Sequence, residues 1–175
     1  TKGLIFDENG MPVARCDRPH RQIVSKRGWV EHDPEEIYRN TIAVVHDVIE
    51  KAAVDKEKIV ACGISNQRET VVAWNKRTSK PVCNAIVWQC RRLDRNGFSE
   101  KVKSITGLNL SSYFSAAKLA WIMENVDEAK TLASSGNLCM GTVDSWLIYR
   151  LTHGRSFKTD YSNASRTQLF NIISL

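Results

Sequence analysis

The stretch that decides the fold is residues 59–92, IVACGISNQRETVVAWNKRTSKPVCNAIVWQCRR. It begins with an apolar run at residues 59–64 and then breaks into six polar residues, 65–70. An apolar run that ends in polar residues predicts a buried strand with a polar site at its C-terminal end, where open α/β sheets bind ligands. Two more strand-like runs follow, at residues 71–74 and 85–88, and polar residues also follow the second of them. We therefore expect two polar clusters to line one pocket.

The chemistry of this site rests on the adjacent Arg68 and Glu69. A carboxylate accepts hydrogen bonds from hydroxyl groups, and a guanidinium donates in a fixed fork, so together they suit a small polyhydroxy ligand. Neighbours in an extended strand point to opposite faces, so both side chains reach one ligand only if the backbone turns there. The alternative interpretation is a surface pair that flanks a strand.

Length and composition describe one ordinary globular domain, or a large piece of one. The chain has 175 residues, of which 42% are hydrophobic and 25% charged, with a net charge of +6. The basic residues are spread along the chain, which argues against a nucleic-acid-binding module. Attraction of an anionic substrate such as a nucleotide is the next interpretation of this charge, after a solvated surface.

Other function classes lack their sequence patterns. The nine glycines form neither of the common phosphate-binding loops, the four histidines form no zinc-protease motif, and no serine-hydrolase motif is present. No apolar run approaches the roughly 18 residues that a membrane span needs. The five cysteines form no C-x-x-C pair, so a reduced, cytoplasmic environment is the simpler expectation.

Turn and capping residues predict the elements around the stretch. Asn9-Gly10 between two apolar runs predicts an antiparallel hairpin. Asp33-Pro34, followed by two glutamates, predicts the start of a helix that ends near Ala53. Further helices are predicted at residues 92–105, 115–126, 127–135 and 142–154, the last capped by Thr142, and a short strand at 138–140. This order predicts an α/β layered domain with a mixed sheet.

Several blocks of the chain, in order, resemble the FGGY family of carbohydrate kinases. Residues 63–70, GISNQRET, are similar to the glycerol kinase signature of that family. Relatives acting on sugars or pentuloses keep the fold but usually lack the Gln-Arg-Glu-Thr block, here residues 67–70. The other blocks are residues 28–34 (GWVEHDP), 84–92 (NAIVWQCRR), 112–115 (SYFS), 141–147 (GTVDSWL), 159–167 (TDYSNASRT) and 169–171 (LFN). The resemblance covers essentially the whole chain.

The resemblance implies a glycerol site made of Arg68, Glu69, Trp88 and Tyr113. In that site Arg68 and Glu69 hold hydroxyl groups, and Trp88 is an aromatic wall against the carbon chain. From the residues alone, Trp88 is interpreted as a core aromatic at the end of a strand, and Tyr113 as an ordinary loop residue. We expect Cys90-Arg91-Arg92 to support the pocket.

The resemblance also implies the fold, the reaction and the partners. The family has the actin-like, ribonuclease-H-like fold, in which two domains close on a cleft, with the polyol mostly on the first domain and the nucleotide mostly on the second. The implied reaction transfers the γ-phosphate of ATP to glycerol, with Mg²⁺ and a carboxylate base. The expected partner is glycerol or a similar small polyol, with no nucleic acid and no membrane. A homo-oligomer is compatible with the full-length enzyme.

Two parts of the family pattern do not occur in residues 1–175. They are the first strand with its Asp-Gln-Gly-Thr-Thr-Ser loop, which meets the nucleotide phosphates and metal, and the Gly-Asp-Gln block that holds the general-base Asp. We therefore expect an N-terminal, substrate-side domain that is incomplete at both ends. Such a chain has no catalytic residue and no metal ligand of its own, binds ATP and Mg²⁺ poorly, and is inactive alone.

Three interpretations stay open on the sequence. They are the substrate half of a glycerol kinase, an FGGY kinase for another small polyol or ketose, and a non-catalytic module that retains the fold. Ser111-Ser112 stands before Tyr113 where the family usually has Asp-Pro. Loss of the proline is expected to loosen the Tyr113 loop, which keeps a different polyol open.

Overall fold

The computed structural model describes residues 1–90 and 99–174. They form two compact units, one made of Thr1–Arg21 and Asp33–Ile64 and the other of Gln22–His32 and Ser65–Leu175. Both contain strands and helices, so the predicted α/β class is confirmed. The mixed sheet predicted with it is not found among the described strands, because all of their pairings are antiparallel. The expectations for Arg91, Arg92 and the first part of the helix predicted at 92–105 concern residues 91–98, which lie outside the described part of the chain.

The first unit is a hairpin covered by one long helix. Its elements are β1 (Lys2–Phe6), β2 (Pro12–Asp17), α1 (Pro34–Ala52) and a short 3-10 helix (Lys56–Lys58). β1 and β2 pair antiparallel, and Gly10 in the turn has a φ of +76°, as the Asn-Gly pair predicted. A Cβ atom on Gly3 would lie 2.3 Å from the Val44 side chain, so α1 approaches β1 closely because residue 3 is glycine.

The predicted helix caps are present, with one difference. The Asp33 side chain accepts a hydrogen bond from the Glu35 amide at 2.9 Å, and α1 ends at Ala53 in the left-handed conformation with a φ of 50°. Thr142 occupies the N-cap position of a later helix, as predicted, but its side chain makes no capping bond. Its hydroxyl donates to the carboxylate of Asp144 instead.

The prediction of a buried strand at residues 59–64 is wrong. The segment has no regular secondary structure, and Ile59 is 38% and Val60 99% exposed. A strand is stable where neighbouring strands take up its backbone hydrogen bonds. Within residues 1–90 and 99–174, no strand pairs with this segment, so its backbone N–H and C=O groups have no neighbouring strand to hydrogen-bond with.

The second unit is a five-stranded sheet with helices packed on it. The sheet order is β3-β4-β6-β5-β7, and all of these neighbours pair antiparallel. The strands are β3 (Ile23–Val24), β4 (Val30–His32), β5 (Val71–Asn75), β6 (Ala85–Ile86) and β7 (Leu138–Thr142). The helices are α2 (Ser99–Thr106), α3 (Ser115–Asn125), α4 (Asp127–Ser134), α5 (Val143–Leu151) and α6 (Tyr161–Ala164). None of the described helices is both long and apolar enough to cross a membrane.

β5 is the centre of this unit because it is buried on both faces. Val71 and Ala73 belong to a core cluster with Ile122 of α3, while Trp74 packs edge-on against Trp146 of α5 at 5.3 Å between ring centroids. Residues 71–74 are all 0% exposed. Burial on both faces explains why this strand is a continuous apolar run in the sequence rather than an alternating one.

Candidate functional site

A backbone turn places Arg68 and Glu69 at the start of β5. The Thr70 amide donates to the Gln67 carbonyl at 3.0 Å, and the Thr70 hydroxyl donates to the Gln67 side-chain oxygen at 2.9 Å. This is the turn that two neighbouring side chains need if they are to serve one ligand. The polar residues therefore precede β5 and do not end a strand at 59–64, which corrects the prediction.

The two polar clusters meet because β5 and β6 are antiparallel neighbours. Val71 lies opposite Ile86, so the start of β5 is next to the end of β6. The Trp88 amide donates to the Thr70 hydroxyl oxygen at 3.3 Å, and Thr70 is 0% exposed. This buried hydroxyl ties the residues after β6 to the turn before β5.

Glu69 is a buried carboxylate held by an arginine. Its Oε1 accepts a hydrogen bond from Arg166 Nε at 2.7 Å, and the side chains are 6% and 30% exposed, respectively. This bond is the main reason why the pKa of the Arg166 guanidinium is raised. An ionised carboxylate offers about four acceptor positions, so Glu69 keeps capacity for ligand hydroxyls after binding Arg166.

Aromatic side chains surround the same arginine. The Arg166 Cζ atom lies 5.4 Å from the Tyr113 ring centroid and 4.7 Å from that of Phe114. Trp88 meets Tyr113 edge-on at 5.8 Å, and it is 40% exposed, which favours a wall facing solvent over a core position. Three of the four predicted residues, Glu69, Trp88 and Tyr113, are thus linked through or beside Arg166.

Arg68 is oriented differently. It is exposed, and its Nη1 donates to the Ser162 hydroxyl at 3.2 Å. Ser162 lies in α6, four residues before Arg166, so Arg68 and Glu69 contact the same segment of the chain. Cys90 is buried in the core cluster of β5 and β6, where it acts as a packing residue.

A buried polar network anchors the segment that carries Arg166. Asp144 is 3% exposed, and its Oδ2 accepts a hydrogen bond from the Thr159 hydroxyl at 2.7 Å. Asn66 donates to the side-chain oxygen of Asn163 at 3.0 Å. These bonds fasten Thr159, just before α6, to α5, and Asn163, within α6, to the segment before β5. They help to bring Arg166 to Glu69.

Lys118, like Arg166, is a charged residue of this site that was not predicted from the sequence. It is 1% exposed, and burial lowers its pKa to about 8, while the thiol of Cys90 and the carboxylate of Glu69 act in the opposite direction. Its ammonium group donates to the backbone carbonyls of Ser112 (3.0 Å), Tyr113 (2.5 Å) and Phe114 (2.9 Å). The Tyr113 amide also donates to the Ser111 hydroxyl at 3.2 Å. The loop without the proline is therefore held by hydrogen bonds.

The sequence carried only weak signals for these residues. Arg166 lies in the block 159–167 but 97 positions from Glu69, so spacing does not pair them. Lys118 is four residues before the buried Ile122 in α3, which makes it a charged residue on an apolar helix face. That placement was the available signal for a buried lysine.

The lowered pKa of Lys118 predicts a pH-dependent stability. Below about pH 8, the folded protein bears the full cost of burying the charged lysine. From there to the ordinary value of 10.5, the unfolded chain holds a proton that the folded chain has released, so the free energy of unfolding rises with pH. We expect a rise on the order of 3 kcal/mol relative to a Lys118→Met variant.

Urea unfolding of both proteins at several pH values checks this expectation. The difference in the free energy of unfolding between the two proteins removes the contributions of groups that titrate in both. A difference that stays constant through this range would contradict it.

Sequence comparison identifies similar proteins over the whole chain. Residues 1–175 match the sequence model described as "FGGY family of carbohydrate kinases, N-terminal domain". The chain is 50% identical to the glycerol kinase of Caldanaerobacter subterraneus subsp. tengcongensis and 48% identical to glycerol kinase 2 of Thermotoga maritima. In both cases the match covers 100% of this chain and 37% of the relative, so the chain spans little more than a third of their length.

Solved structures give a consistent comparison. The structure of Plasmodium falciparum glycerol kinase with ADP matches with a TM-score of 0.88 and 37% identity, over 98% of this chain and 35% of that chain. A ligand-bound xylulose kinase from Lactobacillus acidophilus matches with a TM-score of 0.82 over 98% of this chain and 34% of its own. Its identity is 23%, so that likeness shows the fold alone.

Proposed function

Because the chain belongs to the FGGY family of carbohydrate kinases, we propose that it forms the substrate-binding part of a glycerol kinase. The proposed reaction transfers the γ-phosphate of ATP to glycerol and gives glycerol 3-phosphate. The family predicted from the sequence blocks is confirmed by the match over residues 1–175. The observation that carries the substrate assignment is the buried Glu69 carboxylate, held by Arg166 beside Tyr113 and Trp88.

In this proposal each side chain has a defined task. Glu69 accepts hydrogen bonds from glycerol hydroxyls, and Arg68 donates to a hydroxyl oxygen from the adjacent position. Trp88 covers the C–H face of the carbon chain, and the Tyr113 hydroxyl contacts a further oxygen of the ligand. Arg166 orients the Glu69 carboxylate through the 2.7 Å bond.

The residues present do not fit the nucleotide and the metal. Among residues 1–90 and 99–174 there is no group of three or more His, Cys, Asp or Glu side chains that could hold a metal ion. The sequence also has neither common phosphate-binding loop. We therefore assign the polyol side of the reaction to this chain. In this proposal, residues outside this segment bind ATP and Mg²⁺.

The proposal predicts binding without catalysis. We expect glycerol to bind the 175-residue chain with a dissociation constant in roughly the millimolar range, as suits a small ligand with few atoms. Titration followed by NMR should shift the signals of Trp88 and Tyr113. Propane-1,2-diol, which lacks one hydroxyl, should bind about tenfold more weakly.

The catalytic half of this prediction is tested with ATP and Mg²⁺. The chain alone is expected to form no glycerol 3-phosphate. If glycerol at molar concentration left the Trp88 and Tyr113 signals unchanged, the substrate assignment would be wrong. If the chain phosphorylated glycerol, the assignment of the chain to the polyol side only would be wrong.

A second candidate function is phosphorylation of another small polyol or ketose. The observation that favours it is the Ser111 hydroxyl, which accepts from the Tyr113 amide at 3.2 Å in a loop where the family usually has Asp-Pro. A different loop anchor can move the Tyr113 hydroxyl relative to Glu69. Competition of dihydroxyacetone, erythritol and xylulose against glycerol separates the two candidates.

We also propose a cytoplasmic location. Each of the five cysteines is a free thiol, as suits a reducing compartment. A homo-oligomer of the full-length enzyme stays a prediction, as does the absence of nucleic-acid and membrane partners. A non-catalytic module remains an alternative, and the gene sequence on either side of this segment tests it through the two missing Asp motifs.

A further inference from the structure

The ammonium group of Lys118 donates hydrogen bonds to three consecutive backbone carbonyls just before α3. Its donor distances to Ser112, Tyr113 and Phe114 are 3.0, 2.5 and 2.9 Å. An ammonium group has three N–H donors, so every donor is used on this turn. Lys118 is the fourth residue of α3, and its side chain runs back toward the helix start, as helix geometry requires.

This placement of a cation is costly. Lys118 is 1% exposed, and a positive charge in the first turn of a helix is opposed by the helix dipole. None of the ion pairs found among residues 1–90 and 99–174 involves Lys118. The carbonyls of the 112–114 turn therefore accept its hydrogen bonds, and they compensate its buried charge together with the nearby Glu69 carboxylate.

The same turn determines where Tyr113 lies. The Tyr113 ring contacts Trp88 at 5.8 Å and Arg166 at 5.4 Å, and Arg166 in turn holds Glu69. The backbone of Tyr113 has a second anchor, because its amide donates to the Ser111 hydroxyl at 3.2 Å. A shift of the turn would therefore move the ring away from the other site residues.

We propose that Lys118 is a positioning residue of the polyol site, whose ammonium group fixes the 112–114 turn and so keeps the Tyr113 ring in contact with Trp88 and Arg166. The proposal rests on the proposed function, since it concerns the same glycerol site. Lys118 itself does not touch the ligand. Its effect on binding depends on Tyr113, and an experiment can test that dependence.

A double-mutant cycle on the 175-residue chain tests whether Lys118 acts through Tyr113. Glycerol dissociation constants are measured by NMR for the wild type, Lys118→Met, Tyr113→Ala and the double variant. Lys118→Met is expected to weaken binding about tenfold. The double variant should bind no more weakly than Tyr113→Ala, because the second change removes a contact that is already lost. Lys130→Met, at an exposed lysine of α4, is the matched control and should bind as the wild type does.

The outcomes distinguish the inference from the proposed function. Wild-type affinity in Lys118→Met, or losses that multiply in the double variant, overturns the positioning role. If the wild type itself binds no glycerol, the proposed function fails first.

If Lys118→Met does not fold, the pH dependence of glycerol binding to the wild type serves as the test instead. A neutral amine has two N–H donors for three carbonyls, so affinity should fall severalfold as the pH rises past about 8. The ionisable groups that act on the charge of Lys118 are Glu69, before β5, and Cys90, after β6. Because thiols titrate in the same range, Cys90→Ala is the control, and the midpoint should persist in it. Constant affinity up to pH 9.5 overturns the role.

Discussion

Replacing Glu69 with glutamine is expected to weaken glycerol binding by about two to three orders of magnitude. The carboxylate is 6% exposed and its bond to Arg166 is charge-assisted. A hydrogen bond to a charged group contributes about 1.5–3 kcal/mol and a neutral one about 0.5–1.5 kcal/mol. Losing the charge from two ligand hydroxyl bonds therefore costs about 2–3 kcal/mol, which accounts for the lower end of this range. An amide also turns one acceptor into a donor, which opposes either Arg166 or the ligand.

The measurement is glycerol affinity by NMR titration, with urea unfolding as a second observable. Arg166 keeps its stacking on Phe114 and is 30% exposed, so Glu69→Gln should lower the free energy of unfolding by only about 1 kcal/mol. Glu128→Gln, at an exposed position in the first turn of α4, is the matched control. Affinity within twofold of the wild type in Glu69→Gln would contradict the assigned role.

Replacing Trp74 with alanine should be the most destabilising single change in the second unit. Trp74 is 0% exposed, and its ring lies 5.3 Å from Trp146, 5.5 Å from Tyr149 and 5.3 Å from Phe157. Removing a fully packed tryptophan leaves a large cavity, and such changes cost about 3–5 kcal/mol. For a domain of this size, the loss corresponds to a fall in Tm of about 10 °C.

Trp88→Ala is the matched comparison, because it removes the same side chain from a position that is 40% exposed. We expect it to lower the free energy of unfolding by about 1 kcal/mol and glycerol affinity by about tenfold. Thermal and urea unfolding of both variants, with glycerol titration of Trp88→Ala, check the pair. Equal stability losses in the two variants would show that Trp88 is a core residue and not a wall of the site.

Elements whose signals are local were predicted well from the sequence. The hairpin turn depends on the residues next to Gly10. Each end of α1 depends on residues within one helical turn of its cap, which is Asp33 at the start and Ala53 at the end. Capping bonds and left-handed turn residues act over that short range, so a few residues suffice to predict them. The β5 run was also recognised, because a strand buried on both faces is apolar throughout.

The sequence by itself determined the family, the α/β class and four candidate ligand residues, since these follow from residue identities in ordered blocks. Only the tertiary structure decided which apolar run becomes a strand and which charges meet. Residues 59–64 are as apolar as β5 but have no strand beside them among the described residues, and backbone hydrogen bonds require that neighbour. Arg166 reaches Glu69 across 97 positions, and Lys118 is buried because local carbonyls compensate its charge. Hydrogen-bonding partners and burial are properties of the folded neighbourhood, so a linear sequence does not reveal them.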